Sequence, residues 1–575
     1  MLREKQIQDL ADITGEDYFS AEEYMRNLYS HDIASLPGLV NDILNTKVDA
    51  VAQPTNAEVV SNLLKYCIEH KIPVVPRGHG TSGYGGALPT RGGLVIETTR
   101  MNQVHNIDRE NMTVEVGAGI IWGRLIEILE DEGLAVAAYP SSAPSSTVGG
   151  WIAAGGSGIG STKYGGIKEQ VVDLEMVLPD GRIITASDPP PDLVRDEGRT
   201  YSFYPGDDAY HWGTDQALIA DEDDVKSLMV DSNGALGIIT KAVLKIIPLR
   251  KIHPAVASFS SRDLMQASLQ DILKETRPFY LHFITDTFHQ MLAEVGQPLG
   301  TSGEWVILCA FEGAEDEIAA ELEKLKEVVE QHDGTLESEE TAHHEWDERF
   351  YPMRIKRLGP SLAPSEVYVP VERLGEFLVH MEKHFKRERW AAEGAITDKG
   401  DVAVLTWFLD DERKKIAFLM GWYRSLDVID IGMKYGGKAY SIGMWNVAHS
   451  RSFFGKKAYA NMAKIKKQTD PKGYMNPHKV FSGPLKLSLR FNLLVLFVVA
   501  AVVPIALWLI PLLVPSVFNA YVPWLAVTDF VSALWAFGLG LVIGTVVVEI
   551  ANLIPISFML AIGGPLLRLG RRIWH

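Results

Sequence analysis

The sequence predicts an α+β protein of at least two domains, followed by a hydrophobic helical hairpin. Three observations lead there. At 575 residues the chain exceeds one ordinary hydrophobic core. Helix-period and strand-period segments alternate through the first part, but some strands are joined by tight hairpins, which a purely parallel doubly wound sheet lacks. Near residue 486 the composition changes abruptly to apolar sequence.

The elements can be read in order. "QPTNAEVVSNLLKYCIEHKIPVVPRG" opens on a capping residue and continues as an amphipathic helix, with Val59, Leu63, Leu64, Cys67 and Ile68 at helical spacing. "PVVP" is then a short buried strand. "GGLVIETTRM" and "MTVEVGAG" read as strands and "IIWGRLIEILEDEGL" as a helix. "VVDLEMVLPDGRIITA" reads as a hairpin turning at Asp180-Gly181. Residues 187–230 are polar, proline-rich and acidic, as in a surface insertion, and Asp221–Asp224 is a solvated acidic face. "GALGIITKAVLKIIPL" returns to strand. After about residue 251 a second α+β domain begins, containing the amphipathic helix "EDEIAAELEKLKEVVEQH" and strands such as "EWVILCAFEG" and "VAVLTWFL".

Composition excludes several classes. A formal net charge of −18 argues against a nucleic-acid partner, because phosphate binding needs a basic face. Two cysteines, Cys67 and Cys309, cannot ligate an iron–sulfur cluster or an all-cysteine zinc ion. Cys67 falls on the apolar side of its helix, as a core residue would. The N-terminal "MLREKQIQDLADITGEDYF" has no apolar run resembling a signal peptide.

The C-terminal tail behaves differently. Phe491–Phe518 is 28 residues without a charge, and "FVSALWAFGLGLVIGTVVV" (530–548) is a second such run. About 20 apolar helical residues cross a bilayer core, so two spans are expected near 491–514 and 526–548. Lys486 and Arg490 precede the first run, Arg568, Arg571 and Arg572 follow the last, and the connecting "NAYVPWLAVTD" has neither Lys nor Arg. By the positive-inside rule both flanks face the cytoplasm, and the basic flanks suit an anionic leaflet. The stretch 550–567 is then re-entrant or interfacial. Glu549 marks either a functional contact or the end of the second span.

Two glycine-rich blocks point to a ligand. Residues 77–86 hold five glycines, and "TVGGWIAAGGSGIGSTKYGG" (147–166) holds eight. A run of main-chain N–H groups leaving a strand makes an anion nest suited to phosphate or pyrophosphate. The first block is not a Walker A motif, and the second contains Gly156-x-Gly158-x-Gly160 but no G-x-G-x-x-G in a strand–turn–helix context. Two separated loops fit one extended ligand, with phosphates on one and a planar group along the other.

"PRGHGTSGYGGA" resembles the first FAD loop of the PCMH-type (vanillyl-alcohol-oxidase-type) flavoproteins. "YPSSAPSSTVGGWIAAGGSGIGSTKYGGIKEQVVDLEMVLPDGRII" resembles their second FAD stretch, and "DSNGALGIITKAVLKI" the strand closing the domain. "IKKQTDPKGYMNPHKVF" is similar to their C-terminal signature. The nearest subgroup is the glycolate oxidase/D-lactate dehydrogenase-like flavoenzymes. The resemblance implies an N-terminal helical extension (1–35), a two-subdomain FAD-binding domain (36–250) and a cap or substrate domain (251–425). A return segment (426–485) packs on the FAD domain, and a membrane anchor (486–575) follows. It also implies that Arg77, Gly78, His79, Gly80, Thr81, Ser82 and Gly83 line the diphosphate. Pro140, Ser141, Thr147, Gly149 and Gly150 would run beside the flavin and ribityl chain. Gly156, Ser157, Gly160, Tyr164 and Gly165 would continue that wall, with Val172, Gly237 and Ile238 near the adenine or diphosphate. Relatives with covalent flavin carry the linking histidine four positions after the loop arginine, where this chain has Thr81. The FAD is therefore expected to be non-covalent, and His79 is either a phosphate-side donor or a plain loop histidine.

The pattern breaks in the second half. Hydroxyacid dehydrogenases of this group carry Gly-His…Gly-Asp…His and Glu-His-Gly stretches that position a metal and abstract the hydroxyl proton. Here the corresponding sequences are "EGAITDKGDVAVLTWF", with Ala395, and "GGKAYSIGMWN". No metal is expected. The remaining candidates for substrate chemistry are Tyr440, His449 and Arg451, together with Arg354 in "ERFYPMRIKRLGP", which could grip an anion bidentately. The expected protein is a membrane-anchored, cytoplasm-facing FAD dehydrogenase. It would take hydride from a small or lipophilic hydroxy-type substrate and pass electrons to a quinone or to an iron–sulfur or cytochrome partner. Alternatives are a non-redox, alkylglycerone-phosphate synthase-like flavin transferase and an electron-transfer flavin subunit of a membrane complex.

Overall fold

The computed structural model describes residues 2–188 (apart from 34–36, 38, 39 and 41–43), 195–196, 199–200, 222–483, 489–513 and 530–553. Most of the 187–230 insertion, the loop between the two tail helices and the stretch 554–575 lie outside the described residues.

The first subdomain is a small sheet of order β1-β2-β4-β3. Its strands are β1 (Phe19–Ser20), β2 (Ala50–Ala52), β3 (Val74–Arg77) and β4 (Leu94–Glu97). β4 pairs in parallel with both β2 and β3, and β1 adds antiparallel to β2. The N-terminal extension therefore contributes a strand as well as helices. The helix Ala57–Glu69 packs on this sheet. Asn56 caps it by accepting the Val59 N–H, and Val60, Leu63, Leu64 and Cys67 are fully buried on its inner face. The capping side chain satisfies one of the helix's orphan N–H groups, and the apolar stripe supplies its stability.

The second subdomain contains β5 (Val104–Asp108), β6 (Thr113–Gly117), β7 (Leu134–Val136), β8 (Val171–Val177) and β9 (Ile183–Thr185). A two-residue pair, β10 (Arg195–Asp196) and β11 (Arg199–Thr200), stands apart. β12 (Ile238–Pro248) enters the middle, giving the order β5-β6-β12-β8-β9, with β7 also on β12. The β8–β9 hairpin turns through Asp180 and Gly181, whose φ is +84°. Such a turn uses glycine's access to the left-handed region.

The cap is an eight-stranded antiparallel sheet, β16-β13-β15-β14-β18-β19-β17-β20. It comprises β13 (Lys251–Phe259), β14 (Tyr280–Ile284), β15 (Trp305–Gly313), β16 (Thr335–Leu336), β17 (Ser361–Pro370), β18 (Trp390–Ile396), β19 (Asp401–Asp410) and β20 (Lys438–Ala439). Leu281, Phe283, Ile307 and Val404 project to one face, against Leu269, Leu325 and Phe377 of three covering helices. Successive strand side chains point to opposite faces, so the alternate residues face the FAD-type domain. The cap reaches past residue 425, because the helix Arg424–Lys434 packs on β17 and β20 joins the sheet edge.

The return segment ties the halves together. Val74 donates its N–H to Tyr474 and bridges to Met475. Asn476 Nδ2 donates to Gly86 (3.1 Å) and Asn233 (2.6 Å) carbonyls.

Leu489–Leu513 and Phe530–Leu553 are helices of 25 and 24 residues that pack on each other. Their backbone is described throughout, but their side chains only over 495–509 and 535–551. Within the described residues, no helix is long and apolar enough to cross a membrane.

Candidate active site between the glycine loops and the cap sheet

A cavity of about 840 Å³ lies between the two halves. Its first wall is backbone. β3 runs directly into the loop 77–83, all of which lines the cavity. The N–H groups of residues 78–83 find no hydrogen-bond partner among the described residues. Gly78 cannot be anything larger, since a Cβ there would come within 2.2 Å of Thr147 Oγ1. Thr147 caps the helix Val148–Ala154 by accepting the Gly150 N–H. Pro140, Ser141, Thr147, Gly149, Gly150, Ser157, Gly237 and Ile238 also line this wall. The Ser146 hydroxyl is buried there without a partner. A nest of unpaired N–H groups and an orphaned hydroxyl along an elongated cavity fit a dinucleotide with a pyrophosphate.

The second wall is side chains from the open face of the cap sheet. Tyr280, His282 and Ile284 come from β14, and Glu393 and Ala395 from β18. Ala403, Leu405 and Trp407 on β19 and Glu366 on β17 continue it. Within each strand these are alternate positions, so the sheet register sets the arrangement.

Two carboxyls stand on this wall, Glu393 buried and Glu366 half-buried. Glu366 accepts a hydrogen bond from the Tyr84 hydroxyl at 2.8 Å. Burial, reinforced by the Glu393 charge, pushes its carboxyl up to about 8 against the opposing Tyr84 bond. Glu393 accepts the Trp407 indole N–H at 3.0 Å, and His282 Nε2 lies 3.6 Å from its other oxygen. Burial raises Glu393 to about 7, while the Trp407 bond and Arg354 pull it down. Burial, and then the Arg354 charge, hold His282 down at about 3, so the imidazole is neutral.

The catalytic candidates separate in the structure. Tyr440 lines the cavity, but its hydroxyl accepts the Ser157 N–H (3.1 Å) and donates to the Ser157 carbonyl (2.8 Å), which makes it a clamp on the second glycine stretch. Arg354 also lines the cavity. Its guanidinium meets Glu345 at 2.9 Å and Glu348 at 3.8 Å, so it is already neutralised and does not present a free fork to an anion. His449 lies outside the cavity on a short 3₁₀ turn, 4.0 Å from Asp430. Arg451 is exposed, lying over the Tyr459 ring. Neither lines the cavity, which the return segment reaches only through Tyr440 and Ser441.

Among the cofactor candidates, His79 is exposed and its Nδ1 is 2.7 Å from the Ser145 carbonyl, which links the two glycine stretches. Gly156, Gly160, Tyr164 and Gly165 sit behind the lining. A Cβ on Gly156 would strike the Tyr440 hydroxyl at 2.3 Å, and one on Gly160 the Ala137 carbonyl at 2.2 Å. Tyr164 instead bonds Glu312. Val172 is 40% exposed, since its position on β8 turns it away from the interior. Sequence reading missed Glu366, Glu393, His282 and Trp407. The available signal was an ionisable residue inside an otherwise apolar strand, as in "WAAEGAI" and "FYLHFI".

Known proteins place this arrangement. Residues 48–187 match the FAD binding domain model and residues 241–480 the FAD linked oxidases, C-terminal domain model. A glycolate oxidase subunit of Bacillus subtilis is 26% identical, covering 83% of this chain and 96% of that protein. A D-lactate dehydrogenase of Archaeoglobus fulgidus is 25% identical over 75% of this chain and 90% of its own. In fold, the structure is similar to p-cresol methylhydroxylase with substrate bound, with a TM-score of 0.66 at 17% identity, covering 83% of this chain and 96% of that one. With both domain models in their family order on either side of the cavity, the chain is an FAD-dependent oxidoreductase built like the glycolate oxidase and D-lactate dehydrogenase flavoproteins.

Proposed function

We propose that this chain is a membrane-anchored dehydrogenase that oxidises a hydroxy-bearing substrate and passes the electrons to a quinone or a partner protein. The observation that carries the reading is the pairing of the two cavity walls, with backbone N–H groups for the cofactor opposite two carboxyls, Glu366 and Glu393, whose pKa values burial raises. FAD, when bound, supplies the two-electron oxidant that accepts hydride. The protein does the rest. Loop 77–83 holds the pyrophosphate, Tyr440 fixes Ser157 and with it the second glycine stretch, and the cap sheet shuts out water. Arg354 is spent on Glu345 and Glu348, so an anionic substrate would have to be met by Arg349 or Arg357, which also line the cavity.

The anchor rests on the charge-free run Phe491–Phe518 and the basic residues flanking the tail. The paired helices expose Phe497, Val502, Trp508, Val542 and Ile550, as a lipid-facing surface requires. The attachment is non-covalent, with Thr81 in the position of the linking histidine.

Anaerobic addition of D-lactate, glycolate and 1-octanol to the detergent-purified holoprotein tests the reading. Bleaching of the flavin by a hydroxy compound is expected, with the carbonyl product recovered. Flavin that no hydroxy compound reduces would sink it, and would point to the transferase or electron-transfer alternatives. After acid precipitation the flavin is expected in the supernatant, and flavin retained in the pellet would overturn non-covalent binding.

A further inference from the structure

Three neighbouring cap strands set side chains in a row on the cavity face. In the register of the sheet His282 lies opposite Ala395, and Ala395 lies opposite Ala403. One step along, Ile284 lies opposite Glu393, and Glu393 opposite Leu405. Where the resemblance puts a metal-positioning histidine, this chain has the methyl group of Ala395, and it and its neighbour Ala403 face the cavity. Among the described residues no group of three or more His, Cys, Asp or Glu side chains could hold a metal ion. The residues present do not fit the metal, and no step is drawn through it.

The same face carries a different proton acceptor. Glu393 is 7% exposed and its two oxygens are placed separately, one by the Trp407 indole and the other beside His282. Building on the functional reading above, we propose that Glu393, held by the Trp407 indole and flanked by His282, takes the hydroxyl proton of the substrate, so that oxidation proceeds without a divalent metal. The balance is simple. The substrate O–H bond breaks and its proton goes to a Glu393 oxygen, the C=O bond forms, and the electron pair of the C–H bond leaves as hydride to the oxidised cofactor.

The groups facing Glu393 from the surrounding elements are His282 and Tyr280 on β14, Arg354 after the helix Glu339–Asp347, Glu345 on that helix and Glu366 on β17. Among them Arg354 favours the ionised carboxylate and Glu345 disfavours it, while burial dominates. His282 is neutral and acts as a positioning residue. Its Nε2 stands 3.6 Å from the Glu393 oxygen that Trp407 does not bind, near enough to limit where that oxygen can move.

The test compares the wild type with the Glu393→Gln, Glu393→Asp and His282→Asn holoproteins. The reading is the rate of anaerobic flavin reduction from pH 5 to 9 by whichever of D-lactate, glycolate and 1-octanol bleaches the wild type. General-base loss costs roughly 10²–10⁴-fold, so Glu393→Gln is expected to slow reduction at least 100-fold while retaining its flavin spectrum. Glu393→Asp should recover part of the rate. His282→Asn should shift the pH midpoint as well as lower the rate, which a purely structural residue would not do. The wild-type rate should survive EDTA. Unchanged reduction in Glu393→Gln overturns the proposal while leaving the functional reading intact. So does wild-type activity that EDTA abolishes and a divalent metal restores. Absence of bleaching by every probe overturns both.

Discussion

The two walls of the cavity are built by opposite means. On the FAD side the working groups are main-chain N–H groups, exposed because glycines at 78, 80 and 83 remove the side chains that would cover them. On the cap side the working groups are side chains, one from each of several strands between residues 280 and 407, aligned only by the register of an antiparallel sheet. A backbone site tolerates no added bulk but is indifferent to ionisation. A side-chain site tolerates changes of bulk better but depends on every buried charge being answered.

The largest expected effect breaks the backbone wall. Gly78→Val would drive side-chain atoms into Thr147, whose Oγ1 is 2.2 Å from the position of a Cβ, and across the N–H nest. The purified variant should carry essentially no flavin absorbance. Normal flavin content would show that the nest is not where the pyrophosphate sits.

On the cap wall, Arg354→Met leaves Glu345 buried with its main ion-pair partner gone. Breaking one side of a buried pair costs about 3–5 kcal/mol, and urea denaturation at pH 7 should register that loss. A cost under 1 kcal/mol would mean that the pair is effectively solvated.

Glu366→Gln should act with the opposite sign. In the folded protein this carboxyl is raised to about 8, above its ordinary value of 4.5. The unfolded chain therefore loses its proton first as pH rises, and the native state is penalised progressively between about pH 4.5 and 8. The glutamine removes that penalty and can still accept the Tyr84 hydrogen bond. We expect the variant to gain about 5 kcal/mol over the wild type at pH 9 and almost nothing at pH 4. Equal stability at both pH values would contradict the burial argument.

The smallest change is Trp407→Phe, which deletes one hydrogen bond to Glu393 and little volume. That bond favours the ionised carboxylate, so its loss should move the midpoint of the pH–rate profile upward by about one unit. A downward shift would mean that the bond stabilises the protonated acid instead.

The difference between the walls also explains how much could be read in advance. The loop 77–83, Thr147 and Gly149 were legible because glycine density and capping chemistry are local in sequence. Gly160 and Val172 were assigned from the same motif and fall outside the lining. A motif orders residues along the chain, but the fold decides which of them turn inward. His449 and Arg451 looked available as chemistry-bearing side chains in a segment that returns to the FAD domain, yet only Tyr440 and Ser441 of that segment reach the cavity. Glu393 and His282 were overlooked because each stands alone in an apolar strand. Only the pairing of β14 with β18 brings them within 3.6 Å.

By itself, the sequence determined the α+β class, the two glycine-rich loops, the burial of Cys67, the hairpin at Asp180-Gly181 and the absence of the family histidines from 393–408 and 436–446. All of these depend on short-range chemistry, such as glycine's freedom at φ > 0, helix capping, or the identity of one residue. Tertiary structure alone decided that Arg354 is neutralised by Glu345, that Tyr440 clamps Ser157, and that Glu366 and Glu393 line one cavity. Those outcomes depend on strand register and on burial from both sides. The energy of a buried charge is set by everything packed around it and not by its neighbours along the chain.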